Sequence, residues 1–90
     1  MEVLTGHGVG RRLHEEPQIP CLLRNSLKDT PQIKSGMVLA IEVIYTQGSP
    51  DLVLGQDNWT LETKDGLLGG LFEDTVCVKK GKTQVLTELN

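Results

Sequence analysis

The chain has 90 residues, of which 38% are hydrophobic, 3% are aromatic and 23% are charged, and its formal net charge is −3. A chain of this length forms one small domain and buries only about 60–65% of the surface that its unfolded form exposes. The charge balance excludes a strongly basic nucleic-acid-binding protein, and the hydrophobic content excludes a disordered tail. The longest uncharged apolar run, residues 37–41, is far shorter than the roughly 20 residues of a membrane span. We therefore expect neither nucleic acid nor membrane as a partner.

Glycine and proline divide the sequence into short apolar segments, which favours strands over long helices. In chain order, glycine first occupies every second position of residues 6–10, GHGVG. Two prolines in the following segment, residues 13–20, make a helix there implausible. Residues 22–35 are predicted to be a loop with one short turn. Residues 37–45, MVLAIEVIY, form the strongest predicted strand, and we expect it to be buried on both faces.

The second half of the chain is predicted to contain a hairpin and one more strand. Residues 47–57 are rich in turn-forming residues. We expect a hairpin next, with one arm at 59–63, an Asp-Gly turn at 64–66 and a second arm from Leu67 toward Val78. A further arm is expected at 83–87. The chain is therefore predicted to be mostly β structure.

Two glutamates stand inside apolar segments, where a carboxylate is costly. Glu42 interrupts the strongest predicted strand, and Glu73 lies between Leu71-Phe72 and Val76-Cys77-Val78. Burial of an ionised carboxylate costs several kcal/mol unless it meets a cation or hydrogen-bond donors. For a single glutamate, the simpler interpretation is a position on an edge strand that faces water. The occurrence of two favours a metal site, and both interpretations remain open at this stage.

The two histidines complete the set of possible ligands. His7 lies between two glycines, which allow a ligand or a second backbone to approach closely, although a histidine in a turn fits the same pattern. His14 does not belong to a helical H-E-x-x-H zinc motif, because Gln18 occupies the second histidine position. An imidazole with carboxylates suits Zn, Mn, Fe or Co. Convergence of His7, Glu42 and Glu73 is expected only in a closed sheet.

Four segments together resemble a known family. They are GHGVGRRLHEEPQIP, KSGMVLAIEV, NWTLETKDG and LFEDTVCV, in that order along the chain. They closely resemble the C-terminal part of type I methionine aminopeptidases, which are dinuclear metallopeptidases with the pita-bread fold. The resemblance implies an α+β fold class, with residues 1–90 as the C-terminal part of a metalloaminopeptidase catalytic domain that is mostly antiparallel β structure.

The resemblance implies a metal centre with two divalent ions, Co, Mn, Fe or Zn. It assigns His7 as a ligand of one ion, Glu42 as a second ligand and Glu73 as a carboxylate that bridges both ions. It also implies a catalytic role for Glu42, which would carry a proton between the attacking water and the leaving amine.

The resemblance likewise implies how the substrate, a peptide or the N-terminus of a nascent chain, is bound. His14 is the catalytic histidine that contacts the scissile carbonyl without binding a metal. Trp59 lines the pocket for the methionine side chain. Leu13 replaces an aromatic residue beside that pocket and is expected to widen it. The implied activity is removal of N-terminal methionine in the cytoplasm.

Three alternatives remain open at the level of the sequence. The family's two metal-binding aspartates precede the histidine, and only six residues precede His7 here. We therefore expect a truncated or split form with weak or partial metal binding, little activity alone and a complementary N-terminal half as partner. A non-catalytic binding module that uses half the fold is the second possibility. The third is an Xaa-Pro aminopeptidase relative, because Glu73-Asp74 resembles the Glu-Asp pair of proline-specific enzymes.

Overall fold

The computed structural model describes residues 4–23 and 26–89. Within these residues the chain forms seven strands and one short 3-10 helix, which follows the second strand at Leu27–Asp29. The strands are β1 (Thr5–Gly8), β2 (Glu15–Pro20), β3 (Val38–Thr46), β4 (Leu52–Leu54), β5 (Leu61–Thr63), β6 (Gly69–Cys77) and β7 (Gln84–Val85).

Five of the strands form one antiparallel sheet in the order β2-β1-β3-β6-β7. β3 lies at the centre and pairs with β6 along its full length, from Val38 opposite Cys77 to Thr46 opposite Gly69. Because its aliphatic and β-branched residues favour extended backbone, the strand predicted at 37–45 is confirmed, with a shift of one residue. The arm predicted at 83–87 forms only in part, as the two-residue strand β7, which pairs with the end of β6.

The expectation that both faces of β3 are buried is wrong. Leu39, Ala40 and Ile44 are buried, but Val43 is 55% exposed. Its cross-strand neighbour Phe72 is 68% exposed. Since side chains alternate between the two faces of a strand, Val43 and Phe72 lie on the face opposite Ala40 and Ile44. Among the described residues, no strand or helix shields this end of that face.

The predicted hairpin is also wrong in its pairing. The Asp-Gly turn forms, with Gly66 at φ +76°, but the strands on its two sides do not pair with each other. β5 pairs with β4 in a separate two-stranded sheet, and β6 pairs with β3. The nine-residue register with β3 outcompetes a three-residue arm, because it supplies more ladder hydrogen bonds and more apolar cross-strand pairs.

The remaining segments connect these strands. The loop predicted at 22–35 contains the 3-10 helix at Leu27–Asp29, and its residues 24–25 lie outside the described residues. This helix has three residues, so no helix of the described chain is long and apolar enough to cross a membrane. The sheet, and not a helix, therefore positions the candidate site.

Candidate metal centre

Three neighbouring strands bring His7, Glu42 and Glu73 together. Each of these residues offers one ligand atom, and the three atoms lie within 4.8 Å of one another. His7 on β1 is opposite Ala40, and Glu42, two residues further along β3, is directly opposite Glu73 on β6. The expectation that only a closed sheet could join these residues is wrong, because adjacent strands of an open sheet suffice.

The register also places the two glutamates in the closer of the two types of cross-strand pair. Thr75 directs its N–H and C=O groups away from β3: its carbonyl accepts from Leu86 N at 2.8 Å and its N–H donates to the Thr87 hydroxyl at 3.1 Å. Because this direction alternates along an antiparallel strand, Glu73 and Glu42 form a non-hydrogen-bonded pair, in which Cα atoms are about 4.5 Å apart. Like charges directly opposite destabilise a sheet, and a bound cation removes that cost.

The hydrogen bonds of His7 prepare its ring for a cation. Nδ1 lies 2.9 Å from the carbonyl oxygen of Gly8, which can only accept, so Nδ1 carries the proton. In the neutral ring, Nε2 therefore points a lone pair at Glu42 Oε1, 3.3 Å away. The two side chains are only 10% and 15% exposed. Histidine ligands of metal ions commonly donate their other N–H to a carbonyl in this way.

Glycines allow this close arrangement of strands. A Cβ atom at Gly6 would lie 2.5 Å from the carbonyl oxygen of Ala40 on the neighbouring strand. A Cβ atom at Gly8 would clash with the carbonyl of Glu16 on β2. Both contacts are with backbone atoms, so a side chain at either position would push β1 away from its neighbours. The alternating glycines of GHGVG thus set the depth at which His7 lies.

His14 lies beside the cluster without joining it. The centroids of the His7 and His14 rings are 4.3 Å apart, with the rings tilted by 56°. Both rings border a polar cleft of about 690 Å³. The cleft is lined by Thr5, His7, Arg12, His14, Glu15, Glu16 and Gln18. Arg12, Glu15, Glu16 and Gln18 were not singled out from the sequence, although the alternating exposure of β2 follows from its sequence Glu-Glu-Pro-Gln-Ile-Pro.

A second, largely apolar cleft of about 480 Å³ is lined in part by Glu42. One wall comes from β3 and the start of β6, and the other comes from β4 and β5. Its lining residues are Leu4, Glu42, Ile44, Leu52, Leu61, Thr63, Leu67, Leu68, Gly69, Gly70 and Leu71. A carboxylate at the margin of an apolar cleft is suited to a ligand that carries an amine beside a hydrophobic side chain.

Leu13 and Trp59 are not brought to the cluster by the described residues. Leu13 is 71% exposed and Trp59 is 87% exposed. Neither belongs to the residues that line the two clefts beside the cluster. Their assignment to the substrate pocket therefore stays a prediction.

The turn that carries Trp59 is fixed by one carboxylate. Asp57 accepts hydrogen bonds from the Thr60 hydroxyl and from the backbone N–H groups of Thr60 and Trp59. These donors, the hydroxyl first, lower the pKa of Asp57 from 3.8 to about 2. Asn58 adopts φ +57° between them, a conformation that asparagine tolerates better than most residues. Trp59 is thus presented to solvent on an ordered turn.

The chain is similar to proteins of one family along most of its length. The model of metallopeptidase family M24 matches residues 2–80. The methionine aminopeptidase of Aquifex aeolicus is 44% identical over 84 residues, which are 93% of this chain and 33% of that relative. Methionine aminopeptidase 1 of Bacillus subtilis is 42% identical over 85 residues, covering 94% of this chain and 34% of the relative. The chain thus spans about a third of the length of these curated relatives.

Solved structures give the same result. The methionine aminopeptidase from Thermotoga maritima superposes with a TM-score of 0.90 at 36% identity, over 99% of this chain and 35% of that one. The methionine aminopeptidase from Rickettsia prowazekii superposes with a TM-score of 0.83 at 35% identity, over 97% and 35% of the respective chains. The predicted fold class, a mostly antiparallel portion of the pita-bread fold, is confirmed by these likenesses.

Proposed function

This chain belongs to metallopeptidase family M24, and we propose that it contributes three ligands to the two-ion centre of a methionine aminopeptidase. The observation that carries the proposal is the convergence of His7, Glu42 and Glu73 on one face of three adjacent strands. His7 and Glu42 would be ligands in this centre, and Glu73 would be the carboxylate shared by the two ions. A mixed imidazole and carboxylate set suits Mn, Fe, Co or Zn.

The donor set fits divalent ions because two carboxylates and an imidazole each offer a ligand atom, and these atoms lie within 4.8 Å of one another. Bound ions would supply Lewis-acid chemistry to water and to the scissile carbonyl. The Gly8 carbonyl holds the His7 ring in the correct tautomer throughout. The partly shielded carboxylate of Glu42 receives a proton from the attacking water and delivers it to the leaving amine.

The substrate is the N-terminus of a peptide or a nascent chain. The polar cleft beside His14 accepts the peptide backbone, and the His14 ring, which touches that of His7, donates a hydrogen bond to the scissile carbonyl. The apolar cleft beside Glu42 accepts part of the methionine side chain. Trp59 and Leu13 line the remainder of that pocket when the enzyme is complete.

A complementary segment completes the site. Because the chain spans about a third of its relatives, we propose that residues 1–90 are the C-terminal part of the catalytic domain. The complementary N-terminal part supplies two aspartate ligands and covers the exposed apolar side chains of Val43, Tyr45 and Phe72. The chain alone then binds metal weakly and has little activity. We assign the complete enzyme to the cytoplasm, because removal of N-terminal methionine acts on nascent chains.

Metal titration and reconstitution test this proposal. The purified chain is titrated with Mn²⁺ or Co²⁺ beside Glu73→Ala, and methionine release from a Met-Ala-Ser peptide is measured. The assay is repeated after addition of the N-terminal two thirds of the Bacillus subtilis relative. We expect weak metal binding by the wild type only, and turnover only in the mixture.

Other outcomes contradict the proposal in distinguishable ways. Absence of a metal-dependent change in the wild type favours a non-catalytic binding module. Turnover by the chain alone contradicts the need for a complementary segment. Release from Xaa-Pro peptides, without release from Met-Ala-Ser, assigns the proline-specific branch.

A further inference from the structure

The C-terminal segment is attached to β6 immediately beside Glu73. β7 pairs with β6 at only two positions, where Val85 lies opposite Val76 and Gln84 lies opposite Cys77. Beyond that pair the backbone contact continues for one bond, from Leu86 N to the Thr75 carbonyl. The hydroxyl of the next residue, Thr87, then makes the contacts that a paired strand would make. It accepts a hydrogen bond from the Thr75 N–H at 3.1 Å and donates one to Asp74 Oδ1 at 2.6 Å.

Glu73 is the first residue of β6 that this attachment leaves uncovered. By the alternation of an antiparallel strand, Glu73 directs its N–H and C=O toward the same outer edge as Thr75. No described strand pairs with that edge upstream of Thr75. Among the described residues, the two hydrogen bonds of the Thr87 hydroxyl are therefore the contacts on the outer edge of β6 that lie nearest to Glu73. The carboxylate of Glu73 itself is exposed.

We propose that Thr87 is a positioning residue for Glu73, acting through the Asp74 carboxylate and the Thr75 N–H. This inference rests on the proposed function, in which Glu73 is a metal ligand. Ligand sets work only when their members are held within about 0.5 Å of the productive geometry. The inner edge of β6 is held by β3, and the Thr87 hydroxyl fixes the outer edge at the two residues that follow the ligand.

The hydrogen bonds of Thr87 are expected to affect the position of Glu73 more than the stability of the fold. β7 is already joined to β6 by its own strand pair, so the hydroxyl is not needed to attach the C-terminal segment. Both side chains of the attachment, Thr87 and Asp74, are exposed, and single hydrogen bonds at the surface add little stability. Loss of the hydroxyl is therefore expected to alter metal affinity and coordination with little change in melting temperature.

Three variants of the full chain separate positioning from stability. Thr87→Val removes the hydroxyl at nearly constant shape, and Thr87→Ser restores it. Thr83→Val makes the same change at an exposed threonine just before β7. Mn²⁺ affinity is measured by titration, and the visible absorption of bound Co²⁺ reports the coordination geometry.

We expect Thr87→Val to weaken Mn²⁺ binding about fivefold, the equivalent of one net hydrogen bond, and to change the Co²⁺ spectrum. Thr87→Ser and Thr83→Val should both retain the affinity and spectrum of the wild type. Unchanged binding in a folded Thr87→Val variant overturns the positioning role. Absence of metal binding by the wild type overturns the proposed function itself, and the positioning role with it.

A second pair of variants answers the question if Thr87→Val does not fold. Asp74→Asn removes the charge but keeps an acceptor oxygen for the Thr87 hydroxyl, whereas Asp74→Ala removes both. Weaker metal binding by Asp74→Ala than by Asp74→Asn supports the role of the hydrogen bond. Equal binding by the two overturns it.

Discussion

Substitution of Glu73 by Gln separates the two effects that the paired glutamates impose on the sheet. Glu73→Gln keeps the shape of the side chain and removes one of two facing charges. We expect the metal-free variant to be more stable than the wild type, because repulsion between Glu42 and Glu73 is relieved. We also expect it to bind Mn²⁺ more weakly, because an amide is a poorer ligand than a carboxylate.

The magnitude follows from the separation of the ligand atoms. At the 4.8 Å limit of the cluster, two unit charges repel by about 0.9 kcal/mol in bulk water and by about 3.5 kcal/mol at an effective dielectric constant of 20. The Glu42 side chain is only 15% exposed, but Glu73 is exposed, and solvent screening at Glu73 places the value near the lower limit. A gain of about 1 kcal/mol raises the melting temperature by about 4–8 °C in a domain of this size.

Thermal unfolding followed by circular dichroism in EDTA and in excess Mn²⁺ measures both effects. Glu62→Gln on β5 is the matched control, because it makes the same charge change at an exposed strand position outside the cluster. Excess Mn²⁺ should raise the melting temperature of the wild type and of the control, and should raise that of Glu73→Gln less. The reasoning is refuted if metal-free Glu73→Gln is no more stable than the wild type and shows the same response to Mn²⁺.

Three further outcomes follow from the geometry. Gly6→Ala should lower the free energy of unfolding by about 1–3 kcal/mol, because the new Cβ would lie 2.5 Å from the Ala40 carbonyl oxygen. Urea denaturation measures this change, and an unchanged free energy would show that β1 shifts freely. By NMR, Asp57 should titrate at about 2, and Thr60→Val should move its midpoint up toward 3.8. Since the pKa of Asp57 is lowered on folding, the contribution of these hydrogen bonds to stability is complete above pH 3.8 and is lost as the pH falls through about 2. A titration midpoint near 3.8 in the wild type would contradict the hydrogen bonds. Trp59→Ala should change the free energy of unfolding by no more than about 0.5 kcal/mol, because the side chain is 87% exposed, and a larger loss would show packing on the fold.

The sequence predicted individual strands better than their partners. The apolar run around Glu42 defines β3 to within one residue, because β-branched side chains report a local backbone preference. The wrong pairing of the predicted hairpin has a different origin. An Asp-Gly turn predicts the path of the chain at Gly66, whereas strand pairing depends on which long-range register buries more apolar surface. Local signals therefore identified β6 but assigned it to β5 instead of β3.

The same distinction explains what the sequence revealed about the site. Glu42 and Glu73 were conspicuous because charged side chains rarely interrupt apolar strands, and the register then places them opposite each other. Thr87 gave no such signal, since a threonine near a C-terminus is ordinary, and its contact with Asp74 depends on the turn after β7. Arg12 likewise gave no signal in the sequence, because it lines the polar cleft only when β2 folds back beside β1.

The three-residue cluster is local in space although it spans 67 positions of the sequence, from His7 to Glu73. Each ligand lies on a strand whose partner carries the next ligand, so the register of β1, β3 and β6 alone is enough to assemble it. On the proposed function, we therefore expect metal binding and peptide hydrolysis to be separable. The first depends on the described sheet, whereas the second also requires the ligands and pocket walls that we assign to a complementary segment. A reconstituted complex should consequently gain turnover by a much larger factor than it gains affinity for the first metal ion.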